Sequence, residues 1–334
     1  MVRLKGIKDL ANQFVRVRLW EIESADLNLF QFDYDVTFMI FFLNAEEHVY
    51  SRFGGRDAKD AESRMSLASL NYTMQSVLDT HCNSRPRTSE SRPKPLRIRE
   101  LPFARRYGGC IHCHQVKEIL TTEAKRAGKW TRDSYWRYPL PENLGLSLEI
   151  DRGNITARVT SKSPAAKTGL QVGDKITSIG KIAIHSFGDA QFALDQAPQT
   201  GPIKVHWQRD GKINSGDMML AQGWRRTDLT WRPSLRNSLP SARVYGRDLS
   251  ESERKTRGLT KSQLAFWQRF PVSDQAKSAG ILEEDIILGF DDETLNMKAY
   301  DFLQHVRRSY LIGDRVMVNV LRGEKHLRLP MTLR

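Results

Sequence analysis

The chain has 334 residues, 40% of them hydrophobic and 27% charged, and a formal net charge of +13. That length exceeds one ordinary core and predicts about two or three domains. Lys and Arg are spread along the whole chain without a zinc-finger, basic-zipper or RNA-binding sheet motif, so no nucleic-acid partner is expected. No apolar run approaches the roughly 18–20 residues that span a bilayer, and no transmembrane segment is expected.

From the N-terminus, residues 7–14 predict a short helix, and Phe14-Val15-Arg16-Val17-Arg18-Leu19 alternates at strand period. The apolar run Phe38–Leu43 and the segment His48–Phe53 flank the turn Asn44–Glu47 and predict a hairpin. Leu67, Leu70, Met74, Val77 and Leu78 recur at helical spacing over residues 66–81. Residues 83–104 hold Pro86, Pro93, Pro95 and Pro102 among Ser, Arg and Lys and predict an extended linker.

The segment 105–140 carries Cys110-Ile111-His112-Cys113-His114, followed by an amphipathic stretch at 115–128. C-x-x-C-H is the attachment signature of c-type haem, in which both thiols bond the porphyrin and the adjacent His ligates iron. On this reading Cys110, Cys113 and His114 bind the cofactor, although the segment is short and contains no Met to complete the coordination. Three alternatives stay open. The pair is a redox dithiol, with His112 and His114 favouring the thiolate; or Cys110, Cys113 and His114 join Cys82 around zinc; or the cysteines are structural and bind nothing. Three cysteines are too few for a disulfide scaffold. No hydrolytic triad is expected.

From Leu144 a β-rich pattern occurs twice. Ser163-Pro164-Ala165-Ala166-Lys167-Thr168-Gly169-Leu170-Gln171-Val172-Gly173-Asp174-Lys175-Ile176 precedes a helical stretch at 187–196, a strand at 203–208 and the turn Arg209–Lys212. Residues 274–287 repeat it before a helix near 300–308, a strand at 316–321 and the turn Arg322–Lys325, with Glu284 at the place of Gly173. Both stretches resemble PDZ domains of the bacterial protease-associated type, the second in degenerate form. The resemblance implies strand addition of a peptide or protein C-terminus to the first copy. It places the carboxylate nest at Asn143-Leu144-Gly145-Leu146 and the pairing strand at Ser147 and Leu148. Phe187, Gln191 and Leu194 would lie on the helix that walls the groove.

"FQFDYDVTFMIFFLNA" at 30–45, "CIHCHQV" at 110–116 and "YPLPENLGLSLE" at 138–149 complete an order that resembles a thioredoxin-like/PDZ domain-containing (seleno)protein family of planctomycete-type bacteria. The resemblance implies an α+β multidomain chain. It comprises a partial thioredoxin-like α/β unit lacking its C-x-x-C at 1–82, the linker 83–104, the C-x-x-C-H segment 105–140 and PDZ domain 1 at 141–222. A linker containing Trp231–Ser234 at 223–258 and a degenerate PDZ-like domain 2 at 259–334 follow. It further implies the cell envelope or periplasm. The segment from Met1 lacks the apolar core of a signal peptide, so the reading expects a start further upstream. The function expected is a peptide-binding protein carrying a redox centre, haem or dithiol, at the C-x-x-C-H segment; the alternative is a non-enzymatic PDZ scaffold.

Overall fold

A computed structural model of the chain describes residues 5–83, 94–107, 110–235 and 239–334. The chain divides into two compact units, Met1–Thr227 with Trp231–Ser234, and Asp228–Thr230 with Leu235–Arg334.

The first unit opens with α1 (Lys5–Ala11), the hairpin β1 (Ile40–Leu43) and β2 (Val49–Phe53), and α2 (Leu67–Asn83). β1 and β2 pair antiparallel as a two-stranded sheet, and Phe42 and Phe53 close on Met74 and Val77 of α2. The strand expected at Val15–Leu19 does not form. Those residues run outside any helix or strand, with Val15 95% exposed, because no neighbouring strand lies beside them to pair their amides among the described residues.

The expected linker 83–104 falls outside the described residues at 84–93. Its described end is packed rather than extended: Ile98 is fully buried and, with Ala104, joins Leu27, Phe32, Tyr34 and Val36 in one core cluster. α3 (Cys113–Arg126) completes that cluster with Val116 and Ile119.

The β-rich remainder follows from 144 onward. β3 (Leu146–Leu148) pairs with β4 (Thr156–Val159), and α4 (Pro164–Thr168) leads to a four-stranded sheet. Its strands are β5 (Lys175–Ile179), β6 (Ile182–Ala183), β7 (Gly201–Arg209) and β8 (Lys212–Leu220), in the order β6-β5-β7-β8. α5 (Phe187–Asp195) enters between β6 and β7. Leu146, Leu148, Ile176, Ile179, Leu194, Val205 and Met218 form the core between these elements.

The second unit holds β9 (Gly246–Asp248), α6 (Glu251–Thr256), β10 (Phe266–Gln268), α7 (Asp274–Ser278), β11 (Ile286–Phe290), α8 (Ala299–Ser309), β12 (Arg315–Arg322) and β13 (Lys325–Thr332). Its five strands lie in the order β13-β12-β11-β10-β9. The stretch 223–258 is therefore no plain linker: β9 within it pairs with β10.

The internal repeat extends to individual bonds. Arg209 forks onto Asp174 at 2.7 Å through both Nε and Nη2, and Nη2 also reaches the Gly169 carbonyl at 2.8 Å. Arg322 forks onto Asp285 at 2.7 and 2.8 Å and reaches the Gly280 carbonyl at 2.7 Å. Asp174 and Asp285 each accept from a turn amide, Gln171 and Leu282, at 2.8 Å. Ser163 and Ser273 cap the equivalent helices by accepting from Ala166 and Ala276. Glu284 takes the left-handed conformation, φ 66°, that Gly173 takes at φ 87°.

A buried charge cluster ties the first unit together. Arg232, 2% exposed, donates to both Asp33 oxygens at 2.7 Å and to Asp35 at 3.1 Å. Lys117 of α3 adds an ion pair to Asp35 at 3.3 Å, and the Ser234 amide and hydroxyl each donate to Asp35 at 2.8 Å. Burial alone would raise the Asp35 carboxyl, but Lys117, Arg232 and Ser234 outweigh it and hold that group well below the usual carboxylate range. The residues 231–234, read from sequence as linker, are thus a buried joint. Arg232→Met is expected to cost about 3–5 kcal/mol in urea unfolding, because it strands buried carboxylates; a loss under about 1 kcal/mol contradicts this role. The depressed Asp35 group supplies stability above about pH 4 that is lost as pH falls further. The stability difference between wild type and Asp35→Asn should therefore be flat near neutrality and change only below about pH 4; a difference that is flat to about pH 2 contradicts it.

Candidate functional site: the β3–α5 groove and the cysteine segment

The segment before β3 is built to turn sharply. Residues 141–144 form a 3-10 turn that ends at Gly145 in the left-handed region, φ 76°, with its amide donating to Glu142 O at 2.9 Å. A side chain at Gly145 would also collide with Ser163, whose Cβ lies 2.3 Å from the position its own Cβ would take. β3 then runs along β4, with the Thr160 amide on Gly145 O and the Glu149 amide on Ile155 O, both at 2.8 Å. Antiparallel bonding alternates, so the peptide groups of Leu146 and Leu148 face away from β4. β4 is the only strand partner of β3 among the described residues. The Leu146 and Leu148 side chains are buried and Ser147 is half-buried.

α5 begins in a capping box: the Ser186 hydroxyl accepts from the Asp189 amide, and Asp189 returns to the Ser186 amide. All nine residues of α5 are buried. Phe187, Ala190, Ala193 and Leu194 enter the core. The rest of the helix is covered by the chain's own N-terminal segments. Asp189, fully buried, accepts from Ser51 Oγ at 2.6 Å and the Arg52 amide at 2.7 Å, besides the amides of His185 and Ser186 at 3.1 Å. Ser186 Oγ donates to Arg52 O, and the Arg52 guanidinium lies 3.6 Å over the Phe192 ring. Gly188 leaves the room for this contact, since a Cβ there would lie 2.3 Å from Arg52 O. Burial pushes the Asp189 carboxyl up, against the opposing pull of its Ser51 and Arg52 partners. Gln191 donates to Tyr138 O at 2.9 Å and to Asp33 at 3.4 Å.

Arg64 joins both sides of the groove. Nη1 pairs with Glu142 at 2.8 Å, Nε with Asp57 at 2.9 Å, and the guanidinium lies 4.9 Å over the Phe187 ring. Ser66 Oγ donates to Asp151 at 2.6 Å, just beyond β3. A narrow crevice between Ile150 and Phe187 is lined further by Phe53, Gly54, Arg64, Ser69 and Thr73.

The cysteine segment lies at the start of α3. Cys113 is its first helical residue, and the His112 amide before it donates to the Gln115 side chain at 2.7 Å. Cys113 is half-buried against the cluster of Tyr34, Ile111 and Val116, and burial pushes its thiol up. Cys110 and Cys82 are exposed, and all three thiols are free. His112 and His114 are exposed with their rings stacked, centroids 5.9 Å apart. Cys113 packs on the apolar cluster that includes Tyr34, Ile111 and Val116, while Cys110 and His114 are exposed. No group of three or more His, Cys, Asp or Glu residues could hold a metal ion among the described residues, and Cys82 sits apart near the end of α2.

Of the residues that sequence reasoning assigned to peptide binding, Leu144 and Gly145 lie at the turn before β3, Leu146, Ser147 and Leu148 form β3, and Gln191 lies on α5. Sequence reasoning missed Arg52, Arg64 and Asp189. Only Asp189 left a local signal, the S-x-x-D capping spacing, which announces a helix start and not a long-range contact.

A β-sheet with a capped helix beside an edge strand, preceded by a glycine turn, is consistent with the PDZ domain that the chain contains. The PDZ-domain family model matches residues 155–209. The chain is 38% identical over 79 residues to a serine protease Do-like HtrA of Lactococcus lactis, an alignment covering 24% of this chain and 19% of the protease. It is 34% identical over 115 residues to a Staphylococcus aureus protein described as a zinc metalloprotease, covering 31% of this chain and 27% of that protein. It is 24% identical over 195 residues to the periplasmic serine endoprotease DegP of Escherichia coli, covering 58% of this chain and 37% of DegP. The chain thus spans 19% to 37% of the length of these relatives. No helix among the described residues is long and apolar enough to cross a membrane.

Asp189→Ala is expected to destabilise the first unit by about 2–4 kcal/mol in urea unfolding, because the Arg52 amide and Ser51 hydroxyl lose their buried acceptor. A loss under about 0.5 kcal/mol would show that the hairpin does not depend on this carboxylate.

Proposed function

We propose that the first unit is a peptide-binding module of the cell envelope. An extended peptide adds to β3 through the outward-facing peptide groups of Leu146 and Leu148, and the turn at Leu144-Gly145-Leu146 takes its C-terminal carboxylate. Ser147 continues the strand, and Phe187, Gln191 and Leu194 wall the groove. The observation that carries this reading is an edge strand with a single strand partner among the described residues, preceded by a left-handed glycine and leading into the residues 155–209 that match a PDZ domain.

The second unit reads as a PDZ-like copy that has lost this task. The bond from the Arg269 amide to Tyr245 O mirrors that from Thr160 to Gly145, and Leu249 to Ala265 mirrors Glu149 to Ile155. Asp248 therefore stands at the place of Leu148. Its carboxylate accepts from the Ala299 amide at 2.9 Å at the start of α8, so an acid tied to the helix replaces an apolar groove residue.

The C-x-x-C pair reads best as a dithiol. Supporting this reading, Cys113 starts α3, Cys110 is exposed three residues before it, and among the described residues no group of three or more His, Cys, Asp or Glu could hold a metal ion. Oxidation would join the two sulfurs and release two protons, passing two electrons to an external disulfide. A disulfide-exchange buffer should convert this pair reversibly, with a mass loss of two hydrogens that Cys110→Ser abolishes; a pair that stays reduced throughout contradicts the dithiol reading.

The peptide reading is tested by NMR titration with peptides ending in apolar residues. Free-carboxylate peptides are expected to shift the Leu146 and Leu148 amides, and their C-terminally amidated forms to do so at least about tenfold more weakly. Equal binding of both forms would remove the carboxylate nest from the account.

A further inference from the structure

We infer that the peptide groove of the first unit is closed in cis by the loop 54–66, which acts as a clasp that a ligand must displace; this rests on the peptide reading above.

The clasp touches both sides of the groove. On the helix side, Gly55 packs so closely on Phe187 that a Cβ at 55 would lie 2.5 Å from its ring, and Arg64 covers the same ring at 4.9 Å. On the strand side, Arg64 reaches Glu142, next to the carboxylate turn, at 2.8 Å, and Ser66 reaches Asp151 at 2.6 Å. A peptide laid between β3 and α5 needs the space that Arg64 spans. Phe187 and Gln191, which the peptide would contact, already have partners supplied by the chain.

The two ends of this closure differ in strength. β2 is anchored on α5 through buried bonds to Asp189, and burying these groups makes the anchor costly to break. The strand-side contacts are fewer: one ion pair between Arg64 and Glu142, whose side chains are 14% and 26% exposed, and one hydrogen bond from Ser66 to the exposed Asp151. Glu142 Oε2 is moreover buried without a hydrogen-bond partner among the described residues, so the latch is incompletely satisfied. Gly54 and Gly55 join the firm anchor to the weak latch and supply a flexible hinge. Opening therefore means releasing Arg64 from Glu142 and Ser66 from Asp151, on either side of β3, while β2 stays on α5. A groove that is open only part of the time reduces apparent affinity by the open fraction.

The test compares the full chain with its Arg64→Ala and Ser66→Ala variants, binding apolar peptides with a free C-terminal carboxylate, and follows amide hydrogen exchange across residues 54–66. Both variants are expected to bind at least about fivefold tighter than wild type and to exchange faster in that loop, because the closed state is weakened and the groove is not. Tight binding that is equal in wild type and variants overturns the clasp and leaves the peptide reading standing. Absence of binding in all three, with faster loop exchange in the variants, overturns the peptide reading and the clasp with it. Absence of binding with unchanged exchange overturns the clasp by showing that these residues do not hold the loop. A loss of folding in Arg64→Ala leaves Ser66→Ala to decide the matter, read together with Asp151→Ala because Ser66 Oγ also accepts from the Ser69 amide at 2.9 Å at the start of α2.

Discussion

The buried carboxylate of Asp189 is the contact on which the first unit depends. A short amphipathic helix beside a sheet normally keeps one face in solvent, and in a PDZ domain that face borders the ligand groove. Here the N3 residue of the helix both closes its own capping box and receives Ser51 and Arg52 from a hairpin about 137 residues earlier. An ionised carboxylate cannot stay buried without donors, and the hairpin supplies two of them. Once β2 is fixed there, Gly188 must be small, Arg52 must stack on Phe192, and the loop after β2 must pass over Phe187. The seat of β2 on α5 thus rests on one desolvated acid.

The charge cluster around Arg232 plays the matching part on the other side of the unit. Asp33, Asp35, Lys117 and Arg232 join the N-terminal segment, α3 and the stretch 231–234, and Gln191 links the cluster to α5 through Asp33. Such a cluster is poor at adding net stability but strict about register, because any partner removed leaves a charge in the interior. It also fixes α3, and with it the position of Cys113 at the edge of an apolar cluster. The dithiol proposed at Cys110 and Cys113 therefore sits on a rigid support with one thiol exposed and one sheltered.

Legibility followed the range of the interactions. The stretch 163–176 was readable because its determinants are local: a Ser cap, a Pro in the first helical turn, two glycines at positive φ and an Asp that caps the next turn. The same local grammar recurs at 273–286, where Ser273 caps a helix, Asp285 caps the next turn and Glu284 takes a glycine conformation. Strand alternation failed at Val15–Leu19, since period two shows only that a segment could be a strand and not that a neighbour exists. The Trp231–Ser234 stretch looked like linker because Arg and Pro are usually solvated, and nothing near Arg232 in sequence announces Asp33 and Asp35. Asp248 went unnoticed for a related reason: its meaning depends on its alignment with Leu148, which only the ladder hydrogen bonds establish. The C-x-x-C-H motif names several chemistries by spacing alone, and the burial of Cys113 beside the exposed Cys110 is visible only in the fold.

The central claim is that one groove is both the peptide site and the seat of the loop 54–66. Hydrogen exchange by mass spectrometry, on the full chain with and without a saturating free-carboxylate peptide, tests it most directly. The account predicts opposite changes in two segments: slower exchange at Leu146–Leu148 as the peptide pairs with β3, and faster exchange across 54–66 as the loop is displaced. Slower exchange in both segments, or a change at 146–148 with none at 54–66, would contradict it.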